Sequence, residues 1–465
     1  MKINNKYLLV LLLLLILGFF LRIEGFKKPH KFTFDEIVYT NLSNQLKQNP
    51  LNYTSKPIYD DCIKKGRELP SYLKQPLFKH PPLYCYFGSL GQRFLDNPFM
   101  ATFIPSLIFG LALIPLTFYI GSYLFNQETG ILASFLITLD PISGLCSQKI
   151  WLETTLTFFM FLAVLFIIKA LIDKKESSFV WAAIASGLAI SSKATGAITV
   201  LFMIIVLSIY KPYMFKKRPI WIYILLVFLI SLPWTIWNFI IYKNDFLYSA
   251  LTIQGELKSY FFLYILSFAI LSFILAKIIK HKKQLSGKIN KLAVSKTHQI
   301  ITACVILTFL TPYMFKGLIN SLNLLYIPSA GWRCGFFHAE PPLFYFRRLI
   351  ELSPFYLMPL WGVVFFNKLE LKQRLLYIWV FITIGLFIIH GNYQSRYILP
   401  AIPALLILAA AFIIKIKNYI NDNFKKDNPK RTILIASFTI ILLYFFFKIV
   451  LINIYFVTPN AIAYF

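Results

Sequence analysis

The chain alternates long apolar runs with short polar or turn-rich breaks from its first residues to its last. Apolar runs of about 20 residues are typical of helices that cross a membrane. The pattern predicts about thirteen such helices. We place them at residues 7–23, 99–125, 130–146, 151–172, 178–192, 195–210, 219–241, 260–279, 299–316, 354–366, 375–390, 396–414 and 432–457. The predicted fold is all-α and polytopic, a single membrane domain over residues 1–465.

The first apolar run follows Lys2 and Lys6 and has the general form of a signal peptide. No small-x-small cleavage site comes after it, because the chain continues with Arg22, Ile23 and Glu24. The run therefore predicts a first span that is retained. It is short, so Arg22 is expected to snorkel towards the membrane interface.

Two segments, 24–98 and 316–353, are too polar to span a membrane and too long to be turns. The connections on the N-terminal side of the membrane would hold roughly two dozen Lys and Arg, which predicts a cytoplasmic N-terminus. Both long segments then lie outside, where their own charge matters little because long loops translocate largely regardless of charge. Two large loops on one face indicate that this face carries the function.

Composition supports the membrane prediction. Hydrophobic residues make up 58% of the chain and charged residues 14%, whereas a soluble domain carries about a quarter charged residues. The net charge of +28 could suggest nucleic acid, but the Lys and Arg lie mainly in connections between apolar runs. That placement is typical of membrane orientation, so a nucleic-acid partner is excluded.

The first long segment contains a pair of acids, Asp35 and Glu36, at a predicted helix start. Thr33 with Glu36 fits a capping box, and both acids would favour the positive end of the helix dipole. Asp35 could also act as a base that deprotonates an acceptor hydroxyl or amine just above the bilayer. The residues that follow place apolar side chains four apart, at Val38, Leu42 and Leu46. This stripe suits a helix lying on the membrane surface.

Ionisable residues also occur at the outer ends of several predicted spans. Lys79 and His80 precede two prolines, which suit a turn that leads the loop back into the membrane. Glu153 begins an apolar run and could either face the bundle interior or stabilise a helix start. Lys193 lies between apolar runs and could equally snorkel. Arg396 stands at the start of a later span.

The second long segment is rich in aromatic residues and arginines between Gly331 and Arg348. Such aromatics suit an interfacial belt, but they also suit stacking on a sugar ring. A guanidinium can bind a phosphate through two hydrogen bonds at once. Together the two segments put cations and carboxylates on one outer face, as chemistry on a lipid phosphate would require.

Five motifs in a fixed order make the chain resemble the superfamily of protein O-mannosyltransferases and aminoarabinose transferases. No motif is specific alone, but the ordered set extends from about residue 30 to about residue 412. The motifs are Phe34-Asp35-Glu36 with Tyr39; His80-Pro81-Pro82-Leu83-Tyr84; Gly187-Leu-Ala with Lys193; Glu340-Pro-Pro-Leu-Phe-Tyr345; and Arg396-Tyr397-Ile-Leu-Pro400 with Pro403.

The resemblance implies the GT-C membrane fold and an inverting sugar transfer from a polyprenyl- or dolichyl-phosphate carrier. It implies Asp35 as general base, Glu36 as a partner that positions the acceptor, and Glu153 as a second acid where many relatives have Asp. The cations Lys193 and Arg396 match positions connected with the carrier phosphate. The predicted substrate-binding residues are Tyr39, Lys79, His80, Lys193, Arg333, His338, Glu340, Tyr345, Arg396 and Tyr397.

Because the donor sugar is already activated, the resemblance implies no nucleotide and no required cofactor. The acids could hold a divalent metal, but nothing in their spacing demands one, and the five cysteines show no metal-type spacing. The implied partners are the lipid-linked donor, membrane lipids, and an extracytoplasmic acceptor that can be a lipid, a glycan or a protein. The expected location is the cell membrane.

Three other classes compete with the transferase. A transporter or flippase of lipid-linked sugars would show repeated halves or broken spans near the bilayer midplane. The sequence contains no internal repeat, and its ionisable residues concentrate at one interface. An assembly subunit without catalysis would not need both Asp35 and Glu36. A glycan polymerase or ligase should carry its longest outer loop late in the chain, whereas the longest here is early.

Overall fold

The structure, a computed structural model, describes residues 3–27, 32–66, 80–173, 175–251, 345, 349, 352–359, 369–390, 394–424 and 429–456. These residues form helices and contain no β-strand, which confirms the predicted all-α fold. The α-helices are α1 (Asn5–Lys27), α2 (Phe34–Gln48), α3 (Lys56–Lys64), α4 (Leu83–Gly91), α5 (Pro98–Leu124), α6 (Gln127–Thr138), α7 (Pro141–Ser147), α8 (Glu153–Ile172), α9 (Ser177–Ser192), α10 (Ile198–Tyr210), α11 (Arg218–Leu251), α12 (Leu371–His390), α13 (Ile402–Asn423) and α14 (Pro429–Phe456).

Six of the described helices are long and apolar enough to cross a membrane: α1, α5, α8, α11, α13 with the turn before it, and α14. The protein is therefore a polytopic integral membrane protein. The predicted spans 260–279 and 299–316, and most of 354–366, lie outside the described residues. The count of about thirteen spans stays a prediction.

The span predicted at 130–146 is broken in the structure, because α6 and α7 are bent by 58° relative to each other. The break lies at Asp140, whose carboxylate accepts a hydrogen bond from the backbone N–H of Ser143 at 2.8 Å. Pro141 follows in the first turn of α7, where its missing N–H costs nothing. The short α7 is followed directly by residues 148–153. Because of the bend, these residues lie at one end of the bundle, where α8 begins.

Arg22 does not snorkel as expected, but is fully buried. Its guanidinium donates to the carbonyl of Gly18 at 3.1 Å and to Ser143 Oγ at 3.5 Å. The carboxylate of Asp140, which also binds Ser143, accepts a hydrogen bond from the Tyr356 hydroxyl. The break between α6 and α7 thus places polar groups beside α1, and these accommodate a buried charge.

The apolar stripe of α2 is not lipid-facing as expected either. Its side chains are buried in a small second core against α4, α5 and the segment before α8. This core includes Val38, Leu42, Leu46, Tyr84, Phe103, Leu107 and Ile150. Because α4 and α5 offer an apolar surface of their own, protein packing replaces the predicted contact with the membrane surface. Helix α2 is consequently fixed across the start of α5.

Candidate functional site

Four charged side chains from distant parts of the chain meet at one end of the membrane-spanning helices. Asp35 lies in the first turn of α2 and Glu153 is the first residue of α8. Lys193 directly follows α9, and Arg396 lies in the 3₁₀ turn Ser395–Ala401 before α13. Two carboxylates and two cations thus share one site.

Arg396 connects the two carboxylates. Its Nη2 lies 2.7 Å from Asp35 Oδ2, and its Nε lies 3.7 Å from Glu153 Oε1. The Gln394 side chain accepts a further hydrogen bond from Nε at 2.6 Å. The guanidinium lies 4.4 Å from the centre of the Trp151 ring, a distance at which cation–π attraction is effective. Arg396 is therefore held in place by charge, hydrogen bonding and an aromatic face.

Glu153 also pairs with Lys193, whose Nζ lies 3.1 Å from Oε1. The same ammonium lies 4.4 Å from the centre of the Tyr397 ring, next to Arg396 in sequence. The side chains of Glu153 and Lys193 are only 5% and 12% exposed, whereas that of Asp35 is 38% exposed. Asp35 is thus the carboxylate that an approaching molecule meets first.

Local sequence explains why these groups converge. Lys193 leaves α9 in an extended conformation, and the chain turns back immediately through Ala194–Ala197. Gly196 makes this possible, because a Cβ there would lie 2.3 Å from the carbonyl carbon of Ala189. On the other side, the buried Trp379 of α12 donates to the carbonyl of Pro400 at 2.8 Å. That hydrogen bond holds the turn that carries Arg396 against α12.

The capping box predicted at the start of α2 is present. Glu36 is fully buried, and its Oε2 accepts hydrogen bonds from the backbone N–H and the hydroxyl of Thr33 at 2.7 and 2.9 Å. Its Oε1 accepts from the backbone N–H of Ile150 at 3.2 Å. A carboxylate committed in this way fits the positioning of α2 better than the predicted contact with an acceptor. The neighbouring Asp35 is left to face the cations.

His80 and Tyr39 lie beside the charged groups. The Tyr39 hydroxyl is 3.1 Å from His80 Nδ1, and the Tyr53 hydroxyl donates to the His80 carbonyl at 2.8 Å. Both tyrosines are nearly fully buried. His80 is therefore held both by its imidazole ring and by its backbone carbonyl.

The surroundings of the site lower the pKa of two groups that lie outside the membrane spans, Asp35 and His80. Burial raises the pKa of Asp35, but the charge and hydrogen bond of Arg396 outweigh it, helped by His80 and Lys193, so that the pKa lies below its usual value. Burial and the charge of Lys193 lower the pKa of His80 to about 4, although Asp35 and Glu153 oppose the shift. Asp35 is therefore ionised and His80 neutral at physiological pH.

The described residues do not form a metal centre by their donor set. Nowhere in the ranges given above do three His, Cys, Asp or Glu side chains come together as metal ligands would. Asp35 Oδ2 faces Arg396, and Glu153 Oε1 faces Lys193 and Arg396. A divalent ion at these oxygens would have to displace Arg396 and Lys193.

Several predicted residues remain untested by this geometry. Lys79, Arg333, His338 and Glu340 lie outside the described residues, and Tyr345 is fully buried in the main core. The structure brings together Asp35, Tyr39, His80, Glu153, Lys193, Arg396 and Tyr397.

Sequence reasoning missed Trp151, Tyr53 and Gln394. Trp151 lies two residues before Glu153, and an aromatic residue so close to a candidate acid is a signal that the sequence offers. In the structure its ring is the one on which Arg396 stacks. Gln394 similarly lies two residues before Arg396, to which it is bonded. Tyr53 contacts His80 across 27 residues, and no local pattern indicates that contact.

The sequence matches one family in part. The family model of dolichyl-phosphate-mannose-protein mannosyltransferase matches residues 79–237, a range that contains His80, Glu153 and Lys193. No curated protein matches the sequence significantly.

Solved structures share the fold over nearly the whole chain. ArnT from Cupriavidus metallidurans in the apo state is 13% identical with a TM-score of 0.58, covering 99% of this chain and 74% of ArnT. The same protein bound to undecaprenyl phosphate is 14% identical with a TM-score of 0.53, covering 94% of this chain and 64% of ArnT. The archaeal oligosaccharyltransferase AglB from Archaeoglobus fulgidus, in complex with an inhibitory peptide and a dolichol-phosphate, is 16% identical with a TM-score of 0.57. That match covers 96% of this chain and 55% of AglB.

These likenesses confirm the predicted resemblance and the GT-C type of the fold. At these identities the solved structures show the fold alone, and the chain spans about half the length of AglB.

Proposed function

We propose that this protein is a membrane glycosyltransferase that moves a sugar from a polyprenyl- or dolichyl-phosphate carrier to an acceptor on the extracytoplasmic side of the cell membrane. The observation that carries the proposal is the meeting of Asp35 with Arg396 and Lys193 at one end of a GT-C bundle. This end offers a base and two cations within reach of a lipid phosphate at the membrane interface.

Arg396 and Lys193 would bind the carrier phosphate. A guanidinium presents five N–H donors, and the contacts of Arg396 described above leave some of them for a phosphate. Trp151 and Gln394 hold the guanidinium in position before the donor arrives, which is the preorganisation that electrostatic catalysis requires. As the bond to the sugar breaks, the cations would stabilise the growing negative charge on the leaving phosphate.

Asp35 would act as the general base. The acceptor oxygen or nitrogen forms a bond to the anomeric carbon, the bond from that carbon to the phosphate oxygen breaks, and the acceptor proton passes to Asp35. The electron pair of the broken bond leaves with the carrier phosphate. Attack from the side opposite the phosphate inverts the anomeric configuration.

This geometry requires the resting ion pair between Asp35 and Arg396 to open. In an inverting reaction the sugar lies between the base and the leaving group, and inverting glycosidases keep their two carboxyl groups about 6.5–9.5 Å apart for a comparable reason. Here Asp35 Oδ2 lies only 2.7 Å from Arg396 Nη2. The donor phosphate would compete with Asp35 for Arg396, and the released carboxylate would become a stronger base.

The deciding experiment uses purified protein in liposomes, radiolabelled polyprenyl-phosphate sugars and a membrane extract as acceptor. We expect transfer by the native protein and a loss of about 10²–10⁴-fold in Asp35→Asn, the usual range for removal of a general base. Carrier-phosphate binding should be retained or tightened in Asp35→Asn, because the competitor for Arg396 has lost its charge.

Glu128→Gln is the matched control, since Glu128 pairs with Lys417 at the opposite end of the bundle. It should transfer like the native protein. Donor crossing the bilayer without any transfer, equally in native protein and Asp35→Asn, would contradict the proposal and favour a flippase.

A further inference from the structure

The two oxygens of Glu153 have different surroundings. Oε1 faces Lys193 Nζ at 3.1 Å and Arg396 Nε at 3.7 Å. Oε2 is fully buried and has no hydrogen-bond partner among the described residues. An ionised carboxylate oxygen without a partner is costly, and buried polar atoms in native proteins are rarely left so. The free oxygen therefore points to a ligand.

A second buried polar atom without a described partner, the hydroxyl of Thr157, lies one helical turn further along α8. Thr157 follows Glu153 by four residues, so both side chains lie on one face of α8. Thr157 is fully buried, and its Oγ1 also has no partner in the part of the chain that the structure describes. An acceptor and a hydroxyl in line down one helix face suit a ligand with several polar groups.

The chemistry of the two groups narrows the ligand. A carboxylate oxygen only accepts hydrogen bonds, so Oε2 requires an O–H or N–H donor, whereas a threonine hydroxyl can donate or accept. A sugar ring carries such groups side by side. Because Glu153 contacts both candidate phosphate-binding cations, a sugar attached to that phosphate would lie next to Glu153.

We propose that Glu153 Oε2 and Thr157 Oγ1 form the subsite that recognises a hydroxyl or amino group of the transferred sugar. This inference rests on the proposed function, since it takes the donor to be a carrier-phosphate sugar. It changes the role expected of Glu153, which binds the sugar instead of acting as a second catalytic acid. Donors that lack a hydrogen-bond donor at this position are selected against.

Binding alone can test the subsite. Purified protein in nanodiscs is titrated with bare undecaprenyl phosphate and with undecaprenyl phosphate linked to mannose, glucose, galactose or an amino-pentose. We expect the native protein to bind at least one sugar-bearing carrier about ten- to a hundredfold more tightly than the bare phosphate, the range of a hydrogen bond to a charged group. Glu153→Gln, which replaces one carboxylate oxygen with an NH2 group, should lose that preference. Its affinity for bare phosphate should be retained or tightened, because Lys193 and Arg396 lose a charged competitor.

Thr157→Val keeps the shape of the side chain and removes a hydroxyl that has no described partner, so the fold should tolerate it. It should lower the same preference about threefold or more, the effect of losing a neutral hydrogen bond. Glu128→Gln, at the opposite end of the bundle, should leave it unchanged.

The subsite is wrong if the native protein shows no preference for any sugar-bearing carrier, if the preference survives in Glu153→Gln, or if Glu153→Gln weakens both kinds of carrier equally. Should Glu153→Gln fail to fold, an unchanged preference in Thr157→Val overturns it. A sugar preference without any transfer would support the subsite and contradict the enzymatic proposal. Binding of no carrier at all would overturn both.

Discussion

At the scale of single residues, neighbours in sequence have different tasks in this site. Asp35 and Glu36 are adjacent acids, yet one pairs with Arg396 and the other is buried against Thr33 and Ile150. Consecutive side chains on a helix point about 100° apart, so both could not face the cations. The two oxygens of Glu153 also differ in this way, because Oε1 faces the cations whereas Oε2 has no partner among the described residues.

The neutral state of His80 leads to a prediction about stability at low pH. The pKa of His80 is lowered from 6.5 to about 4, first by burial and then by Lys193 and Arg396 against the opposing charges of Asp35 and Glu153. As pH falls from 6.5 to about 4, the unfolded chain takes up a proton at His80 that the folded protein does not. The native state should therefore lose stability over this window.

Thermal unfolding in detergent checks this expectation. His80→Gln replaces the imidazole with an amide that can bond to the Tyr39 hydroxyl but is not protonated in this pH range. The melting temperature of the native protein relative to His80→Gln should fall between pH 6.5 and about pH 4 and stay constant above pH 7. Parallel pH profiles for the two proteins would show that His80 keeps an ordinary pKa.

At the scale of elements, helix ends carry the site, so the turns that end them set its geometry. Lys193 depends on the sharp return of the chain at Gly196, which approaches the backbone of Ala189. Backbone atoms cannot swing aside as a flexible side chain can. An added methyl group must therefore separate the turn from α9.

Gly196→Ala should displace Lys193 and lower the rate of sugar transfer by up to about 100-fold, the effect of a misplacement near 1 Å. Gly187→Ala is the matched control in the preceding helix α9: its Cβ would also meet a close neighbour, Ile230 Cβ at 2.7 Å, but away from the turn that carries Lys193. The measurement is initial transfer rate with the fraction of folded protein determined in parallel. Equal rates for the two variants would mean that the turn does not position Lys193.

The sequence predicts much of this at the level of elements. Ionisable residues at the ends of spans on one side must share a face, and Asp35, Glu153, Lys193 and Arg396 do meet. The α2 helix and its capping box also follow from local pattern. The break at Asp140, the stacking of Trp151 on Arg396 and the burial of Arg22 do not, because they depend on side chains brought together by packing.

At the scale of the whole molecule, the proposed function requires the site to face away from the cytoplasm. Cys62 in α3 is a partly exposed free thiol on the chain segment that includes α2. Lys417 is half exposed near the end of α13, at the end of the bundle opposite Arg396. The two positions therefore report the two sides of the membrane.

In a variant whose other cysteines are serine, we expect Cys62 to react with a membrane-impermeant maleimide added outside intact cells. Lys417→Cys, in a chain with no other cysteine, should react only after the membrane is permeabilised. Labelling in the opposite order would invert the predicted orientation and place the site in the cytoplasm.

The burial of Arg22 has a consequence for biogenesis. Arg22 belongs to α1, but the Ser143 hydroxyl it contacts comes 121 residues later in the chain. A ribosome that has just completed α1 has made neither α7 nor the break before it, so the final surroundings of Arg22 do not exist when α1 first reaches the membrane. The contact between Arg22 and Ser143 can therefore form only after α7 has been made. The burial of Arg22, which contradicts the expected snorkelling, is thus a property that the assembled protein acquires and that α1 alone cannot provide.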